Sequence, residues 1–195
     1  MKKIINYWVA LFSLILFAAF PAYALETYQI DPMHTYVLWH IDHFGFSNQA
    51  GKFIMVDGSL ELDETKPENS KIKATIHMDK MATGIPKLEE HLKSKDFFDV
   101  AKYPTATFIS DKINVTGKDT ATIDGTLTMH GVSKPIVLDV KMLKFAMHPI
   151  KNKKSIGISA TTTIKRSDFG ITKYTPMLGD EVKVEIGAEI DAGTK

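Results

Sequence analysis

Cysteine is absent from the 195 residues. That excludes disulfides, a cysteine nucleophile and a lipid anchor on cysteine, and it deprives any zinc site of thiolates. A dominant charge is also missing. Lys and Arg number 24 against 23 Asp and Glu, and the formal +1 falls to −1 once Lys2 and Lys3 are set aside. Such a chain has no general attraction to nucleic acid or to anionic membranes. Beyond residue 24 no run is long and apolar enough to span a bilayer. Catalytic signatures are lacking as well: there is no G-x-S-x-G elbow, phosphate-binding glycine loop or dinucleotide fingerprint. Paired carboxylates of the glycosidase kind cannot be placed from sequence. Low-complexity linkers and internal repeats are absent.

What is present begins with Lys2 and Lys3, an apolar run from Ile4 to Phe20, and Ala22-Tyr23-Ala24. Charge, apolar core and small-residue exit in that order mark a secretory signal cleaved after Ala24. The expectation is an exported chain, Leu25–Lys195, forming one domain without a stable membrane span. Its core must come from hydrophobic burial, for which the length suffices.

Alternation with a period of two recurs along this chain, the pattern of half-buried strands. One inner row is Val182, Val184, Ile186, Ala188 and Ile190; a second is Ile72, Ala74, Ile76 and Met78. Others are Ile156, Ile158, Ala160, Thr162 and Ile164; Ile136, Leu138, Val140 and Met142; and Ile123, Leu127 and Met129. Thr35–His43 alternates with Val37, Trp39, Ile41 and His43 inward, and Phe53–Leu62 and Ala106–Val115 complete about eight strands. Turn chemistry marks Asp57-Gly58, Lys66–Asn69, Thr116–Asp119, Gly131–Pro135 and Lys151–Lys154. No helix rhythm separates the strands, so an up-and-down barrel or a sandwich is expected. Lys87–Phe98 is rich in helix formers and predicts a short helix over one barrel end. Arg166–Ile171 predicts a turn or a single helical loop.

An eight-stranded barrel is either filled by its own side chains or holds one ligand. The inner rows mix large residues with Ala74, Gly125, Ala160 and Ala188, which leaves both outcomes open. If a cavity exists, strands of this length make it long, a shape suited to a lipid tail. Burying such a tail gains about 0.8 kcal/mol per methylene.

Five ordered segments carry a family resemblance. They are His34–Ser47 with Gly51-Lys52-Phe53; His91–Val100 with Tyr103-Pro104 and Phe108; Gly125–Thr128 with Gly131–Pro135; Arg166-Ser167-Asp168-Phe169-Gly170; and Gly179-Asp180-Glu181-Val182. Together they resemble the YceI-like family across nearly the whole chain after residue 24. The resemblance implies an all-β fold, a lipocalin-like, extended eight-stranded antiparallel β-barrel with a short capping helix. It also implies a periplasmic protein that binds a polyisoprenoid or isoprenoid quinone-like lipid, with transport, storage or stress-response roles among members. Two positions depart from the family pattern: Ser133 stands where threonine is usual, and Trp39 where phenylalanine is common. A larger indole there shortens the tunnel or alters ligand preference.

The candidate ligand-contacting residues are Val37, Trp39, Ile41, His43, Phe53, Phe97, Phe98, Phe108, Leu127, Met129, Ile158 and Phe169. His43, continuing the inner row, places a polar tip near the pocket mouth, either for a headgroup or for backbone. Phe97 and Phe98 form a lid or anchor the helix. Met33, Met81, Met142 and Met177 are either an adaptable pocket lining or plain core. Arg166 and Asp168 suggest an ion pair fixing a loop, and Lys93, Asp96 and Asp99 a surface or capping network. His40 and His43 make a poor metal chelate, because strand residues three apart face opposite ways. No cofactor, metal or catalytic residue is expected. Three readings stay open: a lipid-binding module, a filled barrel that serves interaction or stress response without a ligand, and an enzyme on a lipid-like substrate starting from His43 or His77. A homodimer is left open.

Overall fold

The computed structural model describes residues 25–193. The expected signal segment lies outside the described residues. The strands are β1 (Glu26–Ile30), β2 (Tyr36–His43), β3 (Ser47–Phe53), β4 (Val56–Leu62), β5 (Lys71–His77), β6 (Met81–Ala82), β7 (Thr105–Val115), β8 (Thr120–Met129), β9 (Val132–Met147), β10 (Lys154–Lys165) and β11 (Leu178–Ala192). Among the described residues a single α-helix, α1 (Pro86–Lys93), lies between β6 and β7. Every pairing is antiparallel, and the order β1-β4-β5-β7-β8-β9-β10-β11 closes on itself through β1 and β11. The result is a closed eight-stranded antiparallel barrel, mostly β, with one short helix.

The long strand β11 pairs with β10 along one edge and serves two partners along the other. Its C-terminal half pairs with β1 (Ile190 opposite Ile30), and its N-terminal half with β2 (Val184 opposite Trp39). Strands β1 and β2 therefore run end to end along β11, and β4 and β3 run beside them. Phe53–Leu62, expected as one strand, is broken at Ile54-Met55. There the backbone turns to bond Lys80 and His77 instead of continuing a ladder. After that detour β3 pairs on its outer edge with β6, Phe53 opposite Met81.

Turns differ from expectation where local chemistry allowed a tighter solution. The β8–β9 link is only His130-Gly131, both at positive φ (53° and 78°), the backbone of a two-residue hairpin. The expected turn Gly131–Pro135 therefore shrinks, and Val132 already belongs to β9. Asp57-Gly58 is no turn but part of β4, where the backbone of Lys73 passes too close for a side chain at Gly58. The β9–β10 link spans residues 148–153, slightly earlier than Lys151–Lys154. The helix stops at Lys93 rather than Phe98, because the hydroxyl and the backbone N–H of Ser94 both turn back onto the His91 carbonyl. Phe97 and Phe98 follow in a turn.

One end of the barrel is shut by its own side chains. Tyr28, Ile30, Leu60, Ile156, Ala188 and Ile190 form one cluster, and Phe108, Ile113, Ile123 and Leu138 a second beside it. Tyr28 is 0 % exposed. Burial, with the Glu26 and Glu64 carboxylates accepting from its hydroxyl at 3.3 Å each, holds the phenol well above its ordinary pKa and neutral. A larger cluster of Trp39, Phe53, Met78, Phe97, Met129, Phe169 and neighbours occupies the other end, under α1.

The candidate ligand channel

Between these clusters the inner rows enclose a cavity of about 520 Å³. Along β11 its wall runs from Leu178 to Ile190, about 40 Å of strand, or about 30 Å along the axis after the usual barrel tilt. That volume spread over that length is a narrow channel. Its walls are almost wholly apolar, drawn from the period-two rows of β2, β5, β7, β8, β9, β10 and β11. Space survives because small residues, Ala74, Ala160 and Ala188, alternate with larger ones on the inner face.

Eleven of the twelve candidate contact residues line this channel: Val37, Trp39, Ile41, His43, Phe53, Phe97, Phe98, Phe108, Leu127, Met129 and Ile158. The twelfth, Phe169, does not. It is buried in the same cluster as Trp39 and Met129, and its carbonyl accepts a hydrogen bond from His130 Nδ1 at 3.0 Å. The methionine expectation also fails in part. Met33 and Met177 are exposed, Met142 is 38 % exposed, and Met81 packs in the core; none of the four lines the channel, whereas Met78 and Met129 do.

Met142 fails for a readable reason. Gly157 pairs with Lys144 but Ile158 with Met142, which leaves Leu143 as an extra residue. A bulge of this kind inverts the inward phase beyond it. Phe145 therefore faces in, opposite Ile156, and meets Tyr28 edge-on at 6.3 Å. Met142 itself stands past Lys141, the last β9 residue paired with β8.

The channel opens where its lining residues reach solvent. His43, Phe44, His91 and Tyr174 are all exposed, and they gather at the β2–β3 turn, α1 and the loop before β11. Their rings form a chain: His43 to Phe44 at 4.5 Å, Phe44 to Tyr174 at 6.5 Å, Tyr174 to Phe97 at 6.4 Å and Phe97 to His91 at 5.0 Å. Asp96 ties this rim together by pairing with Lys173 at 3.0 Å and approaching His91 at 3.6 Å. The Lys173 ammonium, hydrogen-bonded to it, and burial acting the other way leave the Asp96 carboxyl below its usual range. Phe44, Tyr174 and His91 were not picked out from the sequence. Their neighbours were, but the loops that bring them to one opening carry no period.

Arg166 sits beneath this rim, 4 % exposed. The expected ion pair with Asp168 is not formed. Its guanidinium instead donates to four backbone carbonyls, those of Gly179 (2.7 Å), Ile171 (3.0 Å), Lys173 (2.8 Å) and Leu178 (3.0 Å). It thereby fastens the irregular segment 171–179 against the barrel. The carboxylate expected of Asp168 is supplied by Asp180, which accepts from the N–H and hydroxyl of Ser167 and caps the helical turn Arg166–Phe169.

His40 and His43 do face opposite ways: His43 lines the channel and His40 lies 3.6 Å from Glu185. His77 pairs with Asp57 at 2.6 Å, outside the channel lining. Asp31, His34 and Glu189 lie close enough to suggest a metal site. However, the Lys151 ammonium occupies their centre, 2.6 Å from Asp31 and 3.1 Å from Glu189, with Asp191 at 2.9 Å. The cluster is an ion-paired clasp. Among the described residues, no helix is long and apolar enough to cross a membrane.

Fold and site together define a class: a closed antiparallel barrel enclosing a lengthwise apolar channel that opens at one end. Within that class the chain belongs to the YceI-like domain family, whose model matches residues 28–190. A UPF0312 protein of Pseudomonas putida is 39 % identical over 158 residues, covering 80 % of this chain and 81 % of that one. A UPF0312 protein of Pseudomonas paraeruginosa is 36 % identical over 176 residues, 89 % and 91 % of the two chains. Among solved structures, the Campylobacter jejuni YCEI protein superposes with a TM-score of 0.71 at 33 % identity, covering 79 % of this chain and 91 % of that one. A polyisoprenoid binding domain from Saccharophagus degradans shares the fold, with a TM-score of 0.68 at 15 % identity over 87 % and 99 % of the chains.

Proposed function

We propose that this protein binds one long apolar lipid of the polyisoprenoid class, an isoprenoid quinone or a polyprenol, as a carrier or reservoir. The observation that carries the reading is the channel: about 520 Å³ of apolar space drawn out along the barrel. A tail with ten buried methylenes gains a gross ~8 kcal/mol there, the order of micromolar binding before ordering costs. No polar site is needed for that affinity, which fits the almost unbroken apolar wall. Family membership supports a binding protein rather than an enzyme, and the polyisoprenoid binding domain of like fold supports the ligand class. Export to the periplasm and handover of the lipid there, suggested by residues 1–24, belong to the same reading.

The test is titration of delipidated protein with polyprenols of increasing length, followed by displacement of the apolar fluorophore diphenylhexatriene. Affinity should rise with each added isoprene unit until the channel is full and then level off. Displacement independent of chain length, or none, would overturn the reading.

A further inference from the structure

One rung of the channel differs from the others. Val184 of β11 lies opposite Trp39 of β2 and opposite Thr162 of β10, and Trp39 lies opposite Gly51 of β3. Trp39, Thr162 and Val184 all line the channel. This rung therefore brings a hydroxyl and an indole N–H to a level flanked by apolar rows on both sides. The indole has been given room: a Cβ at Gly51 would overlap its six-membered ring and stand 2.9 Å from Cε2. Trp39 is 9 % exposed, and its Nε1 is buried without a hydrogen-bond partner.

A buried donor left unpaired costs about 1–3 kcal/mol. Native interiors rarely tolerate this without a reason. An indole N–H donates and never accepts, so the missing partner is an acceptor. The two hydroxyls nearest in the wall do not serve it: Thr162 stands beyond β11, and Thr83, against the same edge of the ring at Gly51, is engaged with Ile85 and Glu89. A bound ligand can supply the acceptor. Phenylalanine would fill much of the same space without a polar atom, so the N–H itself is the feature to be explained.

We infer that Trp39 is a specificity-determining residue whose indole N–H takes a hydrogen bond to an uncharged oxygen acceptor on the bound lipid, a quinone-type carbonyl or an ether. The inference rests on the lipid-binding reading and adds a position and a polarity to it. Trp39 lies four residues inward from His43 at the mouth, about 13 Å of strand. The oxygen-bearing head therefore sits inside the barrel. The tail occupies the inner half, between Val184 and Ile190, and the aromatic rim closes behind the head.

The experiment compares two ligands with the same kind of branched chain: a phytyl naphthoquinone, and phytane, which has no oxygen. Each displaces diphenylhexatriene from delipidated protein, wild type and Trp39→Phe. Wild type should favour the quinone about tenfold, one hydrogen bond's worth. In Trp39→Phe the ratio between the two ligands should fall to within about twofold, whatever the smaller ring does to the affinity for phytane itself. The indole N–H resonance of wild type gives a readout that needs no variant. In a chain starting at Leu25, Trp39 is the lone tryptophan, Trp8 lying upstream. Its signal should move downfield with the quinone and much less with phytane. An equal preference in both proteins, or an indole signal indifferent to the quinone oxygen, overturns the inference and leaves the channel reading standing. Failure of both ligands to displace the fluorophore from wild type overturns the channel reading as well.

Discussion

The two ends of the barrel are built from the same strands and do opposite things. At the sealed end the large side chains are buried, with Tyr28 wedged between β4 and β11 and its hydroxyl satisfied by two carboxylates. At the open end the aromatic residues reach solvent, and loops and one helix join the strand ends in the rim. Charge follows the same division. The sealed end is fastened by a lysine inside three carboxylates, whereas the buried cation near the mouth, Arg166, is spent on backbone carbonyls. The difference teaches that stability and access are divided between the ends. On the proposed lipid reading, the mouth is the route of entry and the sealed end the floor of the channel.

The comparison is broken most severely at the floor. Tyr28→Ala empties a fully buried aromatic site and should cost about 3–5 kcal/mol, read from the urea midpoint. Next comes the clasp. Lys151→Met leaves Asp31, Glu189 and Asp191 facing one another and should cost about 1–3 kcal/mol, reduced from the fully buried case because these groups keep some water.

The clasp also sets a pH dependence. Burial pushes the Asp31 carboxyl up, but the Lys151 ammonium, the His34 ring and the Met33 N–H outweigh it, and its pKa lies well below the usual value. Asp191 is lowered in the same way, burial being outweighed by the Ser155 hydroxyl and Lys151. Burial lowers the Lys151 pKa, yet its three carboxylate partners raise it on balance. A depressed carboxylate stabilises above its unfolded pKa, about 4, and that contribution is lost as pH falls through the folded value. A raised lysine stabilises fully below its unfolded pKa, about 10.4, and loses that contribution as pH climbs above it. The clasp is therefore at full strength between about pH 4 and 10. Wild type should weaken on either side, and Lys151→Met should show a flatter profile in urea midpoints taken across pH.

At the rim the effects are smallest in stability and appear in kinetics. Tyr174→Ala removes a half-exposed ring and should shift stability by no more than about 0.5 kcal/mol. It should nonetheless raise the dissociation rate of a bound polyprenol several-fold in stopped-flow release, since the ring chain over the mouth is cut. A rim variant as destabilising as Tyr28→Ala would remove the distinction between the ends.

Much of this division was legible in the residues, and the limits have physical causes. Period-two rows are local, so Val182–Ile190 and Ile72–Met78 could be assigned an inner face directly, and that face is the channel wall. Eleven contact candidates followed from those rows and the aromatic residues near them. The reading fails where phase is set by something distant. Met142 keeps the inward phase opposite Ile158 but stands past the last β8–β9 rung, and the extra residue at Leu143 inverts β9 only beyond it. Phe169 is buried in the core cluster without lining the channel, on a helical loop whose anchor, Arg166, bonds main-chain carbonyls that no side-chain pattern announces. Strand β1 was missed because five residues contain too little alternation to stand out. The mouth was read only in part: His43 and Phe97 were placed near it, but Phe44, His91 and Tyr174 come from separate loops and a helix end that carry no period.

The central claim is that the channel holds a lipid. The most direct measurement is native mass spectrometry of protein purified without detergent, wild type beside Ala160→Phe, followed by organic extraction of whatever is bound. Ala160 is buried on the channel wall, and phenylalanine there blocks the lumen at an overpacking cost of about 1–3 kcal/mol. The account predicts a stoichiometric long-chain isoprenoid on wild type and a folded, empty variant. Wild type that arrives empty and takes up neither added polyprenol nor added quinone, or a blocked variant that carries the same lipid, would contradict it.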